Sequence, residues 1–133
     1  KRQVLLRVLL GQPDRLNEWP EIELAVGSAL VEVECLRALD RLRLRETLTP
    51  EDLAVRREAV YRLTAGMEVV EPTWPVLRRA GLPFPTALGT LDAVHLATAL
   101  LWRDTRGDDL TLATHDRALA LAARASGLTV IGA

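Results

Sequence analysis

Residues 90–102 read TLDAVHLATALLW. Wound at 100° per residue, this stretch is apolar on almost every side, and a helix apolar all round has to be covered all round. That requirement constrains the fold more than any other feature, because other elements must pack against several faces of one helix. Two residues fit it badly. Asp92 opens the run, falling between Ala99 and Leu96 on the wheel, and His95 follows one turn later. An acid in a first helical turn gains about 0.3–1 kcal/mol from the helix dipole, which explains an exposed acid better than one in apolar company. His95 is expected to be structural, a core histidine with a hydrogen-bond partner.

The rest of the chain supplies candidates for the covering layers. Residues 4–10, VLLRVLL, read as a short apolar helix stopped by GQPD at 11–14. Residues 22–28 read as a buried strand, and Ser28 as the N-cap of a helix running to about Arg45. Thr49, Pro50 and the acids of TPED mark a second helix start, with an end near 64–66. A strand is expected over 67–72, a short helix in TWPVLRRAG, and a loop in LPFPTALG. Thr90 is expected to cap the apolar helix. A strand over 110–114, a helix ending at Gly127 and a last strand over 128–132 complete the series. Short apolar strands alternating with helices predict a three-layer α/β/α sandwich with a mainly parallel sheet.

Composition narrows the class. A chain of 133 residues is one domain, able to bury a core without disulfides, and its lone Cys35 permits no internal disulfide. A reducing cytoplasm is the expected location. No run of 18 uncharged apolar residues occurs, so no membrane span is expected. No signal peptide is visible, and the chain does not open with Met, as it would if its start were missing. The net charge of −1 gives no global footprint for nucleic acid. Of 17 basic residues 16 are arginine, however, clustered at Arg41, Arg43 and Arg45, at Arg56 and Arg57, and at Arg78 and Arg79. These suit phosphate or are plain solvated surface.

Three carboxylates stand in odd places. Glu34 falls inside the apolar stripe of its helix, a turn from Leu30 and a turn from Ala38, and a carboxylate facing a core costs several kcal/mol unless paired or bound to a cation. Asp92 repeats the oddity. Asp116 follows the strand LTLAT directly, where parallel sheets gather ligand groups at their carboxyl ends; it equally suits a helix cap. Thr114 and His115 share that edge. One divalent ion explains all three acids, since Mg²⁺ and Mn²⁺ prefer carboxylate oxygen and can activate water for an in-line displacement at phosphorus. No zinc spacing, Gly-rich phosphate loop or G-x-S-x-G nucleophile elbow is present.

The segments SALVEVECLRAL (28–39), TLDAVHLATAL (90–100) and LATHDRALALAARASGLTVI (112–131) resemble PIN-domain proteins, in particular the toxin ribonucleases of VapBC toxin–antitoxin modules. The resemblance implies a Mg²⁺- or Mn²⁺-dependent endoribonuclease, usually a homodimer, held inactive by a cognate antitoxin protein. It carries metal-binding carboxylates over to Glu34, Asp92 and Asp116, and an accompanying hydroxyl to Thr114, which would position a carboxylate or a metal-bound water. The departure is at the start: family members open with a strand ending in an acid, and Lys1 stands in that place. The single domain over 1–133 is therefore expected to lack its first strand. A rival reading is a catalytically impaired PIN-like module that binds an antitoxin or a second copy of itself. A more distant one is a metal-dependent phosphatase acting on a small phosphate ester.

Overall fold

A computed structural model describes residues 24–107 and 109–133 in full and residues 3–7 as backbone. Five strands form one sheet: β1 (Gln3–Arg7), β2 (Leu24–Ser28), β3 (Glu68–Val70), β4 (Thr111–Thr114) and β5 (Thr129–Ile131). Their order is β3-β2-β1-β4-β5, and every pairing is parallel. Five helices connect or flank them: α1 (Leu30–Leu44), α2 (Pro50–Ala65), α3 (Trp74–Ala80), α4 (Thr90–Arg106) and α5 (Arg117–Ala125).

The expected α/β architecture is present, with one correction at its centre. Residues 3–7, read as part of a helix, form the middle strand, so the central place in the sheet is filled. A parallel strand covered on both faces is a continuous apolar run, and periodicity does not separate it from a buried helical segment. The expectations for residues 8–14, for 22–23 and for Lys1 lie outside the described residues.

The sheet is covered on both faces. Val26 and Leu112, level with one another across β1, enter a core with Leu96, Ala99, Leu100 and Trp102 of α4 and Leu119, Ala122 and Ala123 of α5. Ala113, which points the other way, is also fully buried. Helices α1 and α2 close a smaller core of Val31, Cys35, Leu39 and Val60, and α3 packs Val76 on Val94 and Ala97 of α4. Helix α4 is thus flanked by the sheet, α5 and α3, as its all-round apolar sequence demands. Among the described residues no helix is long and apolar enough to cross a membrane.

Local chemistry sets the helix ends, in two cases one residue from the expected place. Thr49 accepts the Asp52 N–H at 3.1 Å, with Pro50 in the first turn, as the sequence predicts. Ser28 instead ends β2: Ala29 is the N-cap of α1, and the Ser28 hydroxyl accepts the Leu30 N–H at 3.2 Å. Gly89, not Thr90, caps α4. At the far end of α4 the chain leaves through Gly107 at φ 66°, a left-handed conformation that a side chain would strain.

Core position should therefore decide the cost of truncation. Leu96→Ala, at a fully buried site, is expected to cost about 2–5 kcal/mol, against under about 1 kcal/mol for Leu121→Ala on the exposed side of α5. Urea unfolding of the two variants measures both.

Candidate active site

In a parallel sheet all strands end at one edge, and here that edge carries two buried hydroxyls. Leu5 pairs with Val26, so Arg7 is level with Ser28, and Arg7 is itself paired with Thr114. Ser28 and Thr114 therefore stand at the same level on either side of β1, each 1% exposed. Both hydroxyls serve the backbone where the chain turns away from the sheet. Ser28 receives the Leu30 N–H, and Thr114 receives the Asp116 N–H at 3.0 Å.

The acids lie around this edge on the helices that leave or approach it. Asp116 is exposed and caps α5, its Oδ1 accepting the Leu119 N–H at 2.9 Å, which occupies one of its two oxygens. Asp92 is half-buried in the first turn of α4, ahead of a continuous run of buried residues. Glu34 sits in the second turn of α1. Its Oε1 meets Nε2 of His95, a residue 61 positions away and fully buried in α4. His95 is three residues beyond Asp92, on the same side of the helix.

The structure thus joins Glu34 of α1 to His95 of α4, leaves Asp92 in the first turn of α4, and leaves Asp116 and Thr114 at the end of β4. No three His, Cys, Asp or Glu side chains among the described residues are grouped so that they could hold a metal ion. The hydrogen-bond partner expected for His95 is Glu34.

A profile of the PIN domain matches residues 2–125. The chain belongs to the PIN domain family. No curated protein sequence matches it. PIN domains are generally Mg²⁺- or Mn²⁺-dependent nucleases and typically bind RNA. The parallel sheet and its flanking helices agree with that membership. In this PIN domain the central strand, QVLLR, contains no acid.

Sequence reasoning missed two parts of this arrangement. Ser28 reads in the sequence as a helix cap, whereas it is the last residue of β2. His95 was assigned to the core alone. Its signal was a second oddity: a buried imidazole and an acid in an apolar stripe, on different helices, each lacked a partner in the local pattern.

The arginine clusters divide. Arg37 and Arg43 both pair with Asp40, at 3.2 and 2.9 Å, so Arg43 is engaged within its own helix. Arg78 lies 5.2 Å over the ring of Trp74, and Arg79 lies 4.8 Å over Phe84. The Arg43 hydrogen bond, helped by nearby guanidinium charge, holds the Asp40 carboxyl below the usual carboxylate range. A depressed carboxylate adds stability above its unfolded pKa of about 3.9 and loses it as pH falls through the folded value. Asp40→Asn should therefore lower the thermal midpoint slightly at pH 7, less in high salt, and not at all at pH 2. Melting curves at the two pH values test this.

Proposed function

We propose that this PIN domain is an endoribonuclease of the VapC type, the toxin of a toxin–antitoxin pair acting in the cytoplasm. In this reading Glu34, Asp92 and Asp116 are the carboxylates that hold Mg²⁺ or Mn²⁺. What supports it is the contact of Glu34 with His95, which stands one turn after Asp92 on α4, in a chain of this family. The donor chemistry suits the ion, since carboxylate oxygen is what hard cations take. Such an ion, when bound, supplies a Lewis acid and lowers the pKa of water.

The residues of the chain divide the remaining work. Glu34 would provide its carboxylate from the second turn of α1, and Asp92 from the first turn of the buried helix α4. Asp116 contributes its second oxygen from the end of β4. Thr114, bonded to the Asp116 backbone N–H, fixes the turn that presents that carboxylate. RNA is held outside the acids by guanidinium and aromatic groups. Trp74 is 65% exposed beneath Arg78, a flat cation-bearing face of the kind on which unpaired bases stack.

The proposed antitoxin and the homodimer need surface to bind, and Leu44, Val55, Tyr61, Trp74 and Leu77 are large apolar side chains left exposed on α1, α2 and α3.

One observation favours the second reading, an impaired module that binds a partner without cutting RNA. The central strand brings no acid to the edge, and Arg7 is level there with Ser28 and Thr114.

Cleavage of single-stranded RNA in Mn²⁺ separates the two. The nuclease reading expects metal-dependent cleavage that EDTA stops and that Asp92→Asn reduces to background. Equal rates for the wild type and Asp92→Asn, or no cleavage by folded wild type, leave the binding module. Trp74→Ala should weaken RNA binding about 5- to 150-fold, the loss of one stacked base at about 1–3 kcal/mol, with little change in stability.

A further inference from the structure

His95 and Glu34 form a polar contact between the interior and the rim. The imidazole is fully buried, whereas the Glu34 side chain keeps 18% of its surface exposed. The imidazole Nδ1 is buried as well and has no hydrogen-bond partner. That orphan atom indicates which nitrogen carries the hydrogen. With the hydrogen on Nδ1, a buried donor would go unsatisfied and the bare lone pair of Nε2 would face a carboxylate oxygen. With it on Nε2, a donor meets an acceptor and only a lone pair is left over, the less costly arrangement.

We infer that His95 is a positioning residue for Glu34, its Nε2–H fixing the carboxylate at the α1–α4 junction before any ligand arrives. This rests on the reading of Glu34 as a metal-binding carboxylate. A glutamate has three side-chain torsions, and on an open helix face it samples many rotamers. A donor anchored in the core removes that freedom, because the ring cannot move without disturbing the packed helix around it. Asp92 and Asp116 need no such device: the first lies in a helical first turn and the second is bonded as a cap. Glu34 lies further along its helix, within an apolar stripe and beyond the first turn. Hydrogen-bonding partners of metal-binding side chains typically change metal affinity by about 10- to 100-fold.

Two substitutions separate positioning from simple packing. In His95→Gln the amide nitrogen reaches about as far as Nε2 of the ring, and in His95→Asn only about as far as Nδ1. The full chain, both variants and Glu34→Gln are compared by thermal melting, by Mn²⁺ titration with EPR detection of free Mn²⁺, and by ¹⁵N NMR of the imidazole. The expected result is an Nε2–H tautomer in the wild type. His95→Asn should lower Mn²⁺ affinity about 10- to 100-fold, and His95→Gln should restore it to within about threefold. Asn and Gln variants that both melt and bind Mn²⁺ like the wild type would overturn the inference, and so would an Nδ1–H tautomer. If the wild type binds no Mn²⁺, the metal reading of Glu34 fails. The Nε2–H tautomer of the wild type then decides by itself whether His95 holds the carboxylate. Should either variant not fold, the same spectrum decides.

Discussion

The burial of α4 on nearly all sides is the constraint on which the rest of the structure depends. Nine of its seventeen residues are buried, in one run from Ala93 to Leu100 and again at Trp102. A sheet alone covers one face of a helix. Helix α5 extends that cover, α3 closes another side through Val76, and α1 reaches α4 through Glu34. Each polar side chain trapped by this enclosure finds a partner, although Nδ1 of His95 is left without one. The Thr98 hydroxyl donates to the Val94 carbonyl at 2.7 Å within the helix, and His95 finds Glu34 outside it. An interior that tolerated an unpaired imidazole at both nitrogens would lose far more than a surface would.

The same enclosure decides where negative charge can stand. Acids are cheap at helix N-termini, where free N–H groups and the dipole favour them. Asp92 in the first turn of α4 and Asp116 at the cap of α5 both take such places, and both adjoin the carboxyl edge of the sheet. Glu34 lies beyond the first turn of its helix and meets a side chain from the core of another helix. The edge therefore gathers carboxylates by two means, helix termini for two of them and a long-range hydrogen bond for the third.

What was legible in the sequence follows from the range of the forces involved. Thr49, Pro50 and Asp116 were readable because capping acts over three residues. The apolar run of α4 was readable because burial leaves a periodic trace. The central strand was not, since QVLLR carries the apolar density of a buried helix and nothing in five residues distinguishes the two. Ser28 and Thr90 were displaced by one position because a hydroxyl beside a helix start serves the turn before it as well as the cap. Glu34 and His95 were each visible as an oddity, yet their solution was each other. A contact across 61 residues leaves no periodic signal.

The acid-free central strand bears on how such a site would work. A nuclease edge with an acid on its middle strand surrounds a cation from the sheet and from the helices together. Here the acids come from α1, α4 and the start of α5, and the middle of the edge carries the backbone of Arg7 between two buried hydroxyls. Fewer carboxylates at close quarters repel one another less, so the fold holds together without an ion. The same scarcity leaves any bound cation short of protein oxygen, and the vacancy is then filled by water or by a phosphate of the substrate. In the proposed reading, metal and RNA consequently raise each other's affinity, because each supplies what the other lacks. A protein arranged this way discriminates at the level of the ternary complex, and any partner that covers the Trp74–Arg78 face withdraws the RNA and weakens the metal with it.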